Sequence, residues 1–393
     1  MSDKVLIFVP YQDSDNFFSD GILTREFSML YLFWGSGYQK VINVKKPRTI
    51  LDKKQYKICE EFYPEGTVEL EVKRILDISE TIQYRPFMNI GQIVDRRGWW
   101  NTGYAETIKL FHFDEDMEYL VYSNNPFAVE LLLYLKEGGC RIYFDIMDNF
   151  AIHPSLRKSE REKALLGYKR IFEFVDCLSA NSAQTCEYMS NYTDKYIHLI
   201  KNGVFKNNEC YGCSNIPQIK EIRNKKKNYS KCVGYIGKLG LRVDAELVDA
   251  VSNKCPNVLF VFVGNYLKGQ VNKKLLELFA NRDNVLHLDG VPSAYVYTIL
   301  NEFNILSIPH SVGKNENGGD PLKLYQYLTR NKPIISTPIL GVDELSSSIK
   351  ITNNVEEWIY FINESADQYL DIELSKFTWE SRVLPIMKEL EIK

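Results

Sequence analysis

The feature that most restricts this chain is a repeated step: a short apolar run, a turn residue, then a helical pattern. The runs fall at residues 5–11, 41–44, 119–122, 141–146, 177–181 and 196–200, and again at 233–236, 258–263, 285–288, 305–308 and 334–336. Short apolar runs alternating with helices are the pattern of βαβ units and a parallel sheet. The two groups are separated by residues 206–231, which lack apolar periodicity and are rich in Asn, Lys and Cys. A chain of 393 residues can hold two domains of about 200 residues, each with its own core. The expected class is α/β, with a Rossmann-like domain on each side of a linker. Residues 12–20 read as loop, and 68–72 and 78–84 as strand fragments of unclear order.

The most informative stretch is Gly318-Gly319-Asp320-Pro321-Leu322-Lys323-Leu324-Tyr325-Gln326-Tyr327-Leu328. Pro321 suits the first turn of a helix, where its missing N–H costs nothing, and Asp320 before it suits the N-cap. Leu322, Tyr325 and Leu328 share one face, with Lys323 and Gln326 on a neighbouring one. A glycine-rich approach to a helix N-terminus lets a phosphate come close to free N–H groups. Lys323 would add a positive charge for a diphosphate, and Gln326 could bond a ribose hydroxyl. The bland alternative is an amphipathic surface helix. The helix runs into Asn331-Lys332-Pro333 and a further apolar run, a helix-to-strand step.

Other candidates lie where strands end, since open α/β sheets place their sites at the carboxyl ends of strands. Asp148 follows the run 141–146 and could take a proton from a hydroxyl, or simply cap a turn. Asp145, His153 and Asp15 are reserve candidates for that role. Gly21 reads as the opening of a helix after the first strand, with Asp20 and Arg25 beside it as ligand contacts or as a cap and a surface charge. Arg96-Arg97-Gly98-Trp99-Trp100 fits a membrane interface, a ligand pocket, or two buried tryptophans.

Composition excludes some classes. Lys and Arg number 48 against 51 Asp and Glu, a net charge of −3, so no global attraction to nucleic acid is implied. The eight cysteines are scattered, and no signal pattern precedes the first strand, so reduced thiols in a cytosol are expected. Cys210-Tyr211-Gly212-Cys213 lacks the second ligand pair that a zinc site wants. Lys225-Lys226-Lys227 reads as a solvated charge run, or as a contact for an anionic membrane surface.

Gly-Asp-Pro-Leu-Lys-Leu-Tyr-Gln-Tyr-Leu at 319–328, followed by Lys-Pro-Ile-Ile-Ser-Thr-Pro at 332–338, resembles the donor-binding segment of bacterial GT-B glycosyltransferases. The likeness is to the group-1 and teichuronic-acid type, and to the xanthan glucuronosyltransferase. It implies a GT-B fold, two Rossmann-like domains facing a central cleft. The N-terminal acceptor domain would span 1–205, the linker 206–231 and the nucleotide-sugar domain 232–375. Residues 376–393 would form a helix crossing back. Many retaining members carry two Glu residues where this chain has Gly318 and Gln326, so the Lys-x-x-Gln pair is closer to the glucuronosyltransferase pattern.

The resemblance further implies donor contacts from Gly237, Lys238 or Arg242, Gly264, Asp320, Pro321, Leu322, Lys323 and Gln326. It implies acceptor contacts from Asp20, Gly21, Arg25, Trp99 and Trp100, and Asp148 as the base of an inverting reaction. The partners would be a nucleotide sugar, UDP-linked, and a saccharide or lipid-linked saccharide acceptor. No Asp-x-Asp metal motif sits in the donor region, so neither metal nor cofactor is expected. A cytoplasmic enzyme of cell-surface polysaccharide synthesis, with peripheral membrane contact, is the expectation. The alternatives are a non-catalytic carbohydrate- or partner-binding protein and a UDP-sugar epimerase.

Overall fold

The computed structural model describes residues 4–51, 59–154, 156–206, 216–267, 269–313, 319–365 and 372–392. The chain divides into two compact units. The first comprises Met1–Tyr63, Val68–Lys201 and Arg382–Lys393; the second comprises Pro64–Thr67 and Asn202–Ser381.

The first unit is built on seven parallel strands: β1 (Lys4–Val9), β2 (Lys40–Val44), β3 (Glu80–Ile82), β4 (Glu118–Ser123), β5 (Arg141–Ile146), β6 (Cys177–Ala180) and β7 (His198–Leu199), in the order β3-β2-β1-β4-β5-β6-β7. Val5 to Val9 are wholly buried, as a central strand covered by helices on both faces requires. The order reverses between β1 and β4. Chain connections leave in opposite directions there and open a crevice at the carboxyl ends of these strands.

The second unit repeats the plan with six parallel strands: β8 (Lys231–Ile236), β9 (Val258–Val263), β10 (Val285–Leu288), β11 (Ile305–Ile308), β12 (Ile334–Ser336) and β13 (Lys350–Ile351), in the order β10-β9-β8-β11-β12-β13. Its switch point lies between β8 and β11. Gly234 in β8 has no side chain because a Cβ there would sit 2.0 Å from the Phe303 ring. Each unit has its own hydrophobic core.

Three segments differ from the sequence expectation. Residues 14–20 form the helix Ser14–Asp20, started by the Asp13 carboxylate accepting from the Asp15 N–H and anchored by buried Phe17. Val68–Ile78 is also a helix, with Val72, Ile75 and Leu76 buried. That spacing is helical, and a short window hides it. Within the expected linker, Pro217–Lys226 is a helix that starts on its proline and buries Ile219 and Ile222.

A buried ion pair fixes the helix Arg25–Gly35 to the first sheet. Arg25 Nε donates to Asp145 Oδ2 at 2.7 Å and Nη2 to Oδ1 at 3.0 Å. Ser179 and Tyr122 hydroxyls donate to the same carboxylate. Burial opposes the Arg25 charge, but the Asp145 carboxylate outweighs it and holds the guanidinium above its usual pKa.

Candidate functional site

The carboxyl ends of β8 and β11 bring together residues that neighbouring elements then complete. β8 ends at Ile236, and Gly237 follows in a left-handed conformation, φ 143°. β11 ends at Ile308, followed by Pro309 and His310. The helix Leu322–Leu328 carries Lys323 into the same corner. Lys323 Nζ donates to Tyr235 Oη at 2.7 Å, lies 3.1 Å from His310 Nε2, and stands 4.2 Å from the centre of the Tyr235 ring. Tyr235 Oη donates to the Lys238 carbonyl at 2.8 Å. A Cβ on Gly237 would lie 2.7 Å from Lys323 Nζ, so glycine leaves the ammonium room.

The corner carries more positive charge than it neutralises. Burial, with Arg242 adding repulsion, pushes Lys323 well below the usual lysine range. Burial, then Lys323 and Arg242, push His310 well below its usual value. A neutral His310 can accept at Nε2, which matches its place beside the Lys323 ammonium. Burial raises the Tyr235 phenol, keeping it a proton donor. Arg242 Nε is buried without a hydrogen-bond partner. Among the described residues, neither Lys323 nor Arg242 forms an ion pair. An arriving diphosphate would supply the missing negative charge.

Other expected donor residues take different places. Gly264 follows β9 and packs against the turn after β8: a Cβ on it would stand 1.9 Å from the Gly237 carbonyl oxygen. Its glycine is thus required by backbone packing, whatever else it does. Lys238 is exposed, and Gln326 is half-buried one turn from Lys323 with its amide unengaged among the described residues. Leu322 and Pro321 are also half-buried.

Asp320 does not cap the helix; Pro321 occupies the N-cap position. Asp320 is instead buried, accepting from the Asn202 N–H and from Tyr325 Oη at 2.6 Å, while its carbonyl accepts from Asn202 Nδ2 at 2.7 Å. A residue held in the interior by these three bonds, two on its carboxylate and one on its carbonyl, acts as a tie. Gly318 and the Cys210–Cys213 motif lie outside the described residues. Sequence reasoning missed Tyr235 and His310. Position at the end of a switch-point strand was the available signal for His310; nothing marks Tyr235 among other strand tyrosines.

In the first unit, Asp148 lies just beyond β5, half-buried, and its carbonyl accepts from Tyr168 Oη at 2.9 Å. Asp20 is exposed at the end of its helix. Gly21 does not open a helix: it ends Ser14–Asp20 as a left-handed C-cap, φ 61°, its N–H donating to the Phe17 carbonyl. Arg25 is not a ligand contact either, since its guanidinium is spent on Asp145. Trp99 and Trp100 are buried on the helix Arg96–Thr107, so they do not form a membrane-facing belt, although both border a cavity. Among the described residues one trio, Cys177, His198 and Glu389, brings possible metal-ligand atoms within 4.8 Å of one another. His198 and Glu389 hydrogen-bond each other, and burial raises the Cys177 thiol, which then keeps its proton. No described helix is long and apolar enough to cross a membrane.

No family model matches the chain, and no curated protein matches its sequence. Solved structures do match in shape. HepE from Anabaena, solved in complex with UDP-glucose, superposes with a TM-score of 0.65 at 14% identity, over 99% of both chains. Sucrose-phosphate synthase from Thermosynechococcus elongatus gives 0.66 at 13% identity, over 98% of both chains. The α,α-trehalose 6-phosphate synthase of Burkholderia multivorans gives 0.56 at 10% identity, over 100% of this chain and 95% of that one. These neighbours are GT-B glycosyltransferases, and the likeness at such identities is one of fold. The chain has the GT-B fold, with two parallel-sheet Rossmann-like units of seven and six strands.

Proposed function

We propose that this protein is a glycosyltransferase that moves a sugar from a UDP-linked donor to a saccharide or lipid-linked saccharide acceptor. The observation that carries the reading is the uncompensated Lys323 ammonium beside Gly237, Tyr235 and His310, at the switch point of β8 and β11. A diphosphate accepts from Lys323 there, and Arg242 lies near enough for its charge to act on the same group. Gln326 would bond the ribose, and the end of β9 near Gly264 would hold the base. Neighbours solved with UDP-glucose support the choice of nucleotide.

In the proposed reaction an acceptor hydroxyl oxygen forms a bond to the anomeric carbon, and the bond from that carbon to the diphosphate oxygen breaks. The hydroxyl proton passes to Asp148, and the electron pair leaves with UDP. Lys323 and Arg242 stabilise the charge that develops on the leaving group, a task metal ions perform elsewhere. We therefore propose a reaction without a divalent cation, inverting at the anomeric carbon, with the acceptor held on the first unit. Its place is the inner face of the membrane, in the synthesis of cell-surface polysaccharide.

The test is calorimetric titration with UDP, GDP, TDP and CMP on the wild type and on Lys323→Ala. UDP should bind saturably, and Lys323→Ala should weaken it by about tenfold or more, the worth of one charged hydrogen bond. If no nucleotide binds the wild type, the transferase reading falls and a non-catalytic binding role takes its place.

A further inference from the structure

At the carboxyl ends of β1 and β2 the first unit holds a cavity of about 870 Å³, the one that Trp99 and Trp100 border. Lys46, Arg48, Arg96 and Arg97 line it. Arg48 is spoken for, 3.1 Å from both Asp13 and Asp15. The other three are under-neutralised. Lys46 has no ion-pair partner among the described residues; it stands over the Trp100 ring at 5.0 Å and the Tyr11 ring at 5.7 Å. Arg96 is exposed, and its guanidinium lies 5.4 Å from the Trp100 ring centre.

Arg97 is the buried cation of the four. It is only 5% exposed, and its guanidinium lies 4.2 Å from the centre of the Trp100 ring. Nη2 donates to Tyr11 Oη at 2.6 Å, while Glu160 stands 3.5 Å from Nε. Nη1 and Nε are buried with no hydrogen bond. Such a group is costly to leave unsatisfied. Burial, with repulsion from Arg48, Arg97 and Arg96 against attraction from Asp13, lowers the Lys46 ammonium to about 8. The cavity lining holds four cations and, among the described residues, no carboxylate.

The rim has the opposite character. Leu51, Met88 and Ile93 line the cavity, and beside them Phe87, Ile90 and Val94 face outward. Ile93 is 85% exposed and Ile90 77%. Large apolar side chains clustered in the open mark a contact surface. Here they adjoin cations and two aromatic rings, which matches a ligand with an apolar tail, a sugar and a negative charge.

We propose that this cavity holds the phosphate of a lipid-linked acceptor on Lys46, Arg96 and Arg97, with its sugar against Trp100 and Tyr11 and its hydrocarbon on the Met88–Val94 lip. The Tyr11 ring packs 4.2 Å from Phe150, close behind Asp148. The proposal extends the reading above by naming the acceptor's chemistry. It is tested without the donor, so each can fail alone.

The probe is dodecyl phosphate below its micelle concentration, titrated calorimetrically beside inorganic phosphate and dodecyl maltoside. Dodecyl phosphate should bind at least about tenfold more tightly than either. Arg96→Glu and Lys46→Gln should each weaken it by about tenfold, and Ile93→Ser should weaken it while leaving inorganic phosphate unchanged. Circular dichroism and urea unfolding should be unaltered in all three variants and so report their folding. Equal affinity for dodecyl phosphate and dodecyl maltoside would remove the phosphate from the proposal. Equal affinity for dodecyl and inorganic phosphate would remove the lipid. No change in Arg96→Glu and Lys46→Gln would overturn the site.

Discussion

A lysine held against a tyrosine and a histidine, beside an arginine and without a carboxylate, gains from its surroundings only when an anion comes. Burial and Arg242 lower the Lys323 pKa in the free protein. A bound diphosphate raises it again, as an opposite charge does. The nucleotide-bound form therefore holds more protons than the free form between the two pKa values. It follows that UDP binding takes up protons there, and that affinity falls as pH rises through that window. His310, also depressed, contributes in the same direction; Tyr235, raised, stays protonated throughout. Titration at a series of pH values above the second phosphate ionisation near ~6, in two buffers of different ionisation enthalpy, should report proton uptake within that window. Lys323→Ala should reduce it. Heats identical in both buffers would refute the charge assignment.

The legibility of this corner from sequence was uneven, for a physical reason. Lys323 stood out because glycine, proline and lysine sit in one local pattern. Tyr235 and His310 come from strands far apart in sequence, and only the pairing of β8 with β11 makes them neighbours. Arg25 was misplaced for the same reason. A charged residue at the start of a helix looks solvent-facing until the carboxylate of a distant strand is known to meet it.

At the scale of elements, that ion pair locks the helix Arg25–Gly35 onto β5. Both partners are almost wholly enclosed. Removing one charge strands the other in the interior, at a cost of about 3–5 kcal/mol. Asp145→Asn should lower unfolding free energy by roughly that amount in urea denaturation. A double change to apolar residues should recover much of the loss. A deficit under about 1 kcal/mol for Asp145→Asn would show the pair to be ordinary surface electrostatics. The strands themselves were the most legible elements. β5, β9, β10, β11 and β12 fall on the apolar runs without adjustment, because a strand buried on both faces is mostly apolar along its length. Helices 14–20, 68–78 and 217–226 were hidden because each buries only a few side chains, too few to show a period.

At the scale of the molecule, two separate cores imply two separable responses to ligand. Saturating nucleotide at a hundredfold excess over its dissociation constant stabilises what it binds by about 2.7 kcal/mol. Hydrogen exchange should therefore slow by about a hundredfold in the amides of β8, β9 and β11 that exchange by unfolding of the second unit. The amides of β1, β4 and β5 should gain less. Equal protection of both sheets would mean that the units unfold as one. The sequence indicated two α/β halves from the repeated strand–helix step.

One further consequence follows from the stitching at Asn202–Val204. Val204 and Thr378 lie side by side as a parallel bridge, with the Val204 N–H donating to the Phe377 carbonyl and the Trp379 N–H to the Val204 carbonyl. A Cβ on Gly203 would touch the Trp379 backbone at 2.7 Å. The point where the chain enters the second unit and the point where it leaves are thus practically one place. Topologically residues 202–381 are a cassette spliced into the chain, with its two cut ends pressed together. A cassette of that kind can be exchanged for a homologous one with two joins and no new loop to close, while the surrounding chain keeps its fold.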